Sequence, residues 1–333
     1  MREPSASVHG DMLPDLMGKV MIVTGGNSGI GYATVQQLAR RGAKVYIAGR
    51  SQERVSAAIA RLHEEGLEPG NGKLEWLELD LEAPSKIKDV AAAFLKKEGR
   101  LDVLVHNAGR MRTPYVLGEG GIEKSMLVNY VGPFLLTKAL LPLMTKTAKE
   151  KNGDVRIVTL SSSEIRQLKG YEVRYRNLDD WNKEYAGEKF PIVGAKKDDQ
   201  LRYSQTKLAI TLYTRELQRR LDTDGVPITV MSVHPGWVYT EGFLKDPLHD
   251  IPILGWLLNF IFKLTFKTPT EGAQASVFAA ASPDVAERRD RFKGAYLVSP
   301  GKIATPQHPQ AESVVLAEEL WKATEPIVRQ WEG

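Results

Sequence analysis

Short apolar runs rich in valine and isoleucine alternate with segments of helical period along most of this chain, and that alternation leaves few folds open. Strands are predicted over 19–23, 44–48, 73–79, 101–105, 155–160 and 228–233, with a short seventh over 295–298. Helices are predicted between them over 30–41, 52–65, 84–97, 122–146 and 201–221, the first three stopped by Gly42, Gly66 and Gly99. Strand, helix, strand in succession implies parallel strands joined by right-handed crossovers. The strands are apolar on both faces, as expected when helices cover both sides of a sheet. The fold class expected is therefore α/β, a single doubly wound domain with about seven strands.

Composition narrows the chemistry. The hydrophobic fraction of 42% is ample for a packed core. Cysteine is absent, which excludes disulfides, thiolate metal sites and cysteine nucleophiles. The histidines form no HExxH pair, so no metal is expected. A net charge of +4 without a dense Lys/Arg block gives nucleic acid no footprint. Residues 1–17, with Pro4, Ser5, Asp11, Pro14 and Asp15, lack the charged start and apolar run of a signal peptide. They are expected to form a tail outside a domain over 18–333. No run reaches the roughly 18 apolar residues of a spanning helix, and a cytoplasmic location is expected. Two segments break the rhythm. Residues 164–200 are strongly charged and read as a surface insertion, whereas 251–266 are apolar almost all round.

Thr24-Gly25-Gly26-Asn27-Ser28-Gly29-Ile30-Gly31 follows a strand and opens a helix. Glycines there let the backbone turn sharply and approach a pyrophosphate, which the first helical amides then face. A plain tight turn would use the same residues. The second strand ends in Ala48-Gly49-Arg50-Ser51 and has no acid before Glu53. NAD sites usually place a carboxylate there for the ribose hydroxyls, whereas Arg50 can bind a 2′-phosphate by charge-assisted hydrogen bonds. This favours NADP(H) as cofactor.

The glycine spacing resembles that of the short-chain dehydrogenase/reductase family, and further motifs follow in the family's order. They are Asp80-Leu81, His106-Asn107-Ala108-Gly109, Asn129, the serines 161–163, Tyr203-Ser204-Gln205-Thr206-Lys207, and Pro235-Gly236-Trp237-Val238-Tyr239-Thr240. His106 departs from the family's Asn. The resemblance implies a Rossmann fold and an oxidoreductase that moves hydride between a nicotinamide and a carbonyl or alcohol. It implies that Asn129, Ser162, Tyr203 and Lys207 are catalytic. It also implies cofactor contacts from Gly25, Asn27, Ser28, Gly29, Ile30, Gly31, Arg50, Asp80, Leu81, Asn107, Ala108, Gly109, Tyr203, Lys207, Pro235, Gly236, Val238 and Thr240. Asn129 would fix a water near Lys207, and Lys207 would hold the nicotinamide ribose.

A second Y-x-x-x-K match, Tyr185 to Lys189, has a central glycine and precedes Phe190-Pro191, which disfavours helix. Tyr203 instead heads a stripe of Leu208, Leu212, Leu217 and Leu221, and on that helix Tyr203 and Lys207 share a face. The nearby ammonium is expected to lower the phenol's pKa from about 10. The long gap from Ser162 to Tyr203, with Lys267-Thr268-Pro269-Thr270-Glu271-Gly272-Ala273-Gln274, is similar to the retinol-dehydrogenase-like branch, which implies a lipophilic substrate. A lid over 241–268 would carry Trp256, Leu257 and Phe260 beside Trp237. The same 251–266 segment is also open to peripheral membrane contact or to packing in a homodimer. Two rival functions stay open: an NAD-dependent alcohol dehydrogenase, and a cofactor-binding sensor without turnover.

Overall fold

Valine and isoleucine suit a pleated surface buried on both sides, and here they line a single sheet. The computed structural model describes residues 13–151, 153–188, 197–239 and 266–331. Its strands are β1 (Val20–Thr24), β2 (Lys44–Gly49), β3 (Leu74–Glu78), β4 (Val103–His106), β5 (Val155–Leu160), β6 (Ile228–His234), β7 (Tyr296–Val298) and β8 (Lys302–Ile303). They lie in the order β3-β2-β1-β4-β5-β6-β7-β8. All pair in parallel except β7 with β8, an antiparallel addition at the edge. Order 3-2-1-4-5-6 is the doubly wound arrangement, with its reversal between β1 and β4.

The helices are α1 (Gly29–Arg40), α2 (Gln52–Glu64), α3 (Ile87–Lys97), α4 (Lys124–Ala148), α5 (Asp198–Thr223), α6 (Pro269–Ala281) and α7 (Val314–Val328). Alternate residues of β1 point to opposite faces. Val20 and Ile22 join a core with α3, α4, α5 and α7, while Met21 and Val23 join one with α1, α2 and α6. α5 starts three residues earlier than its apolar stripe, where Asp198 and Asp199 complement the helix dipole. α6 is entered through a capping box between Thr268 and Glu271.

Three expectations need correcting. Residues 13–17 are not a free tail: Leu13 and Leu16 are buried, the Leu16 amide donates to the Arg41 carbonyl at 2.7 Å, and the Arg41 guanidinium donates to the Leu13 and Pro14 carbonyls. Residues 1–12 lie outside the described residues. α4 is long and apolar enough to cross a membrane, with a mean hydropathy of 1.4, although its apolar window is 78% buried in this protein's own core. The expectation that no segment reaches that length missed it, because Lys138 and Pro142 interrupt the run without ending the helix.

The charged insertion is the third. Ile165, Leu168, Val173, Tyr175, Trp181 and Tyr185 are all buried. The Tyr175 hydroxyl donates to the Gln205 carbonyl of α5 at 2.7 Å, and Trp181 meets Tyr130 edge-on at 5.7 Å. Arg176 and Asp180 pair on the outside. The apolar residues sit at irregular spacing, so the charges between them dominated the pattern.

One carboxylate ties the sheet together. Asp102, 1% exposed, accepts from the Val20 amide at 2.9 Å, from Arg100 Nη2 at 2.6 Å and from Lys19 Nζ at 3.2 Å. Asp102→Ala would leave the buried Val20 amide without its acceptor and Lys19 without its partner, while Arg100 keeps Glu150 at 3.2 Å, a loss of about 2–3 kcal/mol. Urea unfolding of wild type and variant checks this; a loss under about 0.5 kcal/mol would show that the carboxylate carries no weight.

Candidate active site

The functional residues collect where the strands end. At the β1–β4 reversal, Gly25 and Gly29 take left-handed φ values of +66° and +55°, which turn the chain from β1 into α1. A Cβ on Gly31 would lie 2.3 Å from the Gly25 carbonyl oxygen and 2.4 Å from Asn107 Nδ2. Only glycine fits there. Ser28 is the N-cap of α1 yet makes no side-chain cap bond, and the first turn carries no acid. The helix N-terminus therefore carries no side-chain cap, and its dipole favours an anion.

Asn107 serves the loop from behind. Its Nδ2 donates to the Thr24 and Gly25 carbonyls at 2.8 and 3.2 Å, and the amides of Asn107 and Ala108 both donate to Thr24 Oγ1 at 3.0 Å. Thr24 was not singled out from sequence; its place as the last residue of β1 was the available signal.

A crevice of about 750 Å³ opens beside this loop, lined by Asn27, Arg50, Arg54, Asp80, Leu81, Glu82, Ala108, Gly109, Arg110 and Val128 among others. Arg50 is largely exposed there and pairs with Glu82 at 3.1 Å. Glu82 also takes Arg110 at 2.6 Å and Lys124 at 3.0 Å. Burial pulls its carboxyl upward, but the hydrogen bonds from Lys124 and Arg110 outweigh that and hold it below the usual range. The sequence lacks an acid on β2, but the fold brings one to Arg50 from beyond β3. Arg54, one turn into α2, adds a second cation to the crevice that sequence reading missed. Asp80 accepts from the Glu82 amide at 2.9 Å, and Leu81 fills the space over Gly132.

A second cavity adjoins the first at the ends of β5 and β6, lined by Ile30, Met111, Arg112, Ser161, Ser162, Ser163, Glu164, Tyr203, His234, Pro235, Gly236, Trp237, Val238 and Phe266. The three serines divide their tasks. Ser161 Oγ bonds Thr211 at 2.6 Å and so faces α5. The Ser163 amide donates to His234 Nδ1 at 3.3 Å. Ser162 is the serine whose hydroxyl acts on the Tyr203 phenol and lowers its pKa, and its Oγ accepts from the Glu164 amide at 3.2 Å.

Lys207 is one turn below Tyr203 on α5, its Nζ 5.6 Å from the phenol ring centroid. That ammonium donates to the Leu160 carbonyl at 2.7 Å, and burial lowers its pKa to about 8. The expected lowering of the Tyr203 pKa does not occur. Burial raises it to about 12; the Ser162 hydroxyl lowers it, Glu164 raises it and Arg112 lowers it. The phenol is therefore protonated at neutral pH, suited to donating a proton.

Asn129 sits in a π-helical turn of α4, Leu127–Val131, a local irregularity common at functional sites. Its Oδ1 accepts from the Arg110 amide at 2.7 Å, and its Nδ2 donates to the Arg110 carbonyl at 2.9 Å and to Thr206 Oγ1 at 2.8 Å. It joins the loop after β4 to α5 beside Lys207. His106 is buried, with Nε2 at 2.8 Å from Thr137 Oγ1, and burial pushes its pKa down to about 3. It packs behind the site as a neutral side chain. Tyr185 stacks edge-on against Tyr171 at 5.7 Å and does not line either cavity. Trp237 borders the second cavity, 5.8 Å from Phe266. Thr240, Trp256, Leu257, Phe260 and residues 241–265 of the expected lid lie outside the described residues, while its last three, Phe266, Lys267 and Thr268, lie within them.

The family model of the short chain dehydrogenases matches residues 19–173. A short chain dehydrogenase/reductase of Colletotrichum higginsianum is 42% identical over 95% of this chain and 76% of its own length. Retinol dehydrogenase 14 of Homo sapiens is 38% identical over 84% of this chain and 80% of its own. Among solved structures, an uncharacterized protein from Mycobacterium paratuberculosis superposes with a TM-score of 0.67 at 27% identity, covering 97% of this chain and 98% of that one.

The glycine cradle yields a direct prediction. Gly31→Ala forces the loop off Asn107, and binding of a nicotinamide dinucleotide, followed by tryptophan fluorescence, should weaken at least about 30-fold, or roughly 2 kcal/mol. Wild-type affinity in a folded variant would mean the loop does not hold the pyrophosphate.

Proposed function

The chain belongs to the short-chain dehydrogenase/reductase family, and on that premise we propose that it is an NADP(H)-dependent oxidoreductase acting on a carbonyl or alcohol of a lipophilic small molecule. One observation carries this reading: Tyr203, one helical turn from Lys207, lines a cavity together with Ser162 and with Ile30 of the uncapped glycine loop. The dinucleotide supplies the hydride when bound. The glycine loop and the amides of α1 would hold its pyrophosphate, Asp80 and Leu81 its adenine end, and Pro235, Gly236 and Val238 its nicotinamide end.

The chain's own residues then handle orientation and the proton. Ser162 and Tyr203 line the same cavity, and a carbonyl oxygen bound between their hydroxyls would accept from both. As hydride adds to the carbonyl carbon, negative charge grows on that oxygen and Tyr203 gives up its proton. In the reverse direction the tyrosinate takes the proton from the alcohol. Lys207 stabilises the tyrosinate, and the Leu160 carbonyl and Asn129 keep Lys207 and its helix in place. Met111, Trp237 and Phe266 offer an apolar wall, which supports a lipophilic substrate, as does the likeness to retinol dehydrogenases.

NADP(H) is favoured by Arg50 and Arg54 at the end of β2 and the start of α2. A second reading, NAD(H), has its own support: Glu82 and Asp80 face the same crevice, and Glu82 already engages Arg50.

Tyr203→Phe should bind NADPH with wild-type affinity and lose at least about 1,000-fold in kcat. In the same assay, wild-type kcat/KM for carbonyl reduction should fall as pH rises through about 8, where Lys207 loses its proton. Tyr203 stays protonated well beyond that point. A profile flat to pH 10, or turnover by the phenylalanine variant, would remove Tyr203 and Lys207 from the chemistry.

Arg50→Asp separates the two cofactors. It should cost NADPH about 100-fold in kcat/KM and NADH less than about 5-fold, since only the former loses a charge-assisted contact. Equal losses would favour the NAD(H) reading.

A further inference from the structure

The second cavity holds a charged group that proton transfer at Tyr203 does not use. Glu164 follows Ser162 by two residues, is 5% exposed, and lines the cavity with Tyr203, Ser162 and His234. Its Oε2 is engaged by Gln200 Nε2 and lies 3.6 Å from Arg112 Nη2. Its Oε1 is buried and accepts no hydrogen bond. A buried carboxylate oxygen left without a donor costs free energy, and proteins keep such atoms rarely.

We propose that Glu164 is a substrate-binding residue whose free oxygen accepts a hydrogen bond from a hydroxyl close to the reacting carbonyl, so that the substrate class is the hydroxy-carbonyls and the diols they form. This rests on the reading that Tyr203 and Ser162 hold a carbonyl. The carboxylate, the phenol and Ser162 share one cavity, and Ser162 Oγ accepts from the Glu164 amide at 3.2 Å. A ligand oxygen held at Ser162 and Tyr203 therefore places its neighbouring atoms toward Glu164. A neutral hydroxyl fits better than an ammonium. Arg112 already offsets the Glu164 charge, and Lys207, Arg166 and Lys267 stand around the same cavity. Met111, Trp237 and Phe266 take the apolar remainder of the molecule. The substrate is thus amphipathic, with its polar atoms gathered at one end.

A matched pair of ketones tests this: acetophenone and α-hydroxyacetophenone, each reduced with NADPH and with NADH and followed by nicotinamide absorbance. Wild type should favour the hydroxylated ketone at least about 10-fold in kcat/KM, the range of a hydrogen bond to a charged group. Glu164→Gln turns an acceptor into a mixed donor and acceptor of the same shape, and the preference should shrink to within about 2-fold. A wild-type enzyme without the preference overturns the proposal even if the variant does not fold, and so does a variant that keeps it. In both cases turnover of the plain ketone leaves the oxidoreductase reading standing. Turnover of neither ketone with either cofactor overturns that reading and the proposal with it.

Discussion

The hydrogen bonds between Thr24 and the Asn107–Ala108 segment hold the site in register. They join the ends of β1 and β4 at the point where the sheet's strand order reverses. A parallel sheet leaves a crevice at such a point because its two neighbouring crossovers run to opposite faces. Asn107 closes the back of that crevice, fixing the glycine loop and α1 to the sheet. The crevice is lined by Gly25 and Asn27 of that loop and the cavity at Tyr203 by Ile30, so the seam that sets the loop against β4 positions both.

Burial then sets the chemistry. Tyr203 and Lys207 stand on a helix packed into the core on most sides, and desolvation moves both toward their neutral forms. Burial of the ammonium is tolerated because it donates to the Leu160 carbonyl, and the phenol shares its cavity with Ser162. The insertion between Ser162 and Tyr203 helps to supply that burial. Tyr175 binds the backbone of α5 at Gln205, and Trp181 closes an aromatic cluster with Tyr130. A segment whose charges suggest a solvated excursion is therefore part of the wall packed against α5.

Much of the fold was legible from period and punctuation. Strands buried on both faces must be apolar throughout, and glycines at helix ends need no partner to be read. The glycine loop was legible for the same reason, since the left-handed turns at Gly25 and Gly29 and the tight contact at Gly31 are demands of the local backbone. Tyr203 and Lys207 could be paired by helical spacing alone. The docking of Leu13 and Leu16 was not legible, because two leucines among prolines and acids carry no period. The same holds for the buried aromatics of the insertion.

By itself the sequence determined the order of strands and helices, the glycine turn between β1 and α1, and which tyrosine shares a helical face with a lysine. These follow from interactions within a few residues. Tertiary structure decided which polar groups meet: Glu82 with Arg50, Arg110 and Lys124, Asn129 with Thr206, and Glu164 with Arg112 inside the cavity. Each of those contacts joins separate elements of the fold. Their energies depend on burial and on distances that no local pattern encodes, since an exposed ion pair and a buried one read identically along a chain.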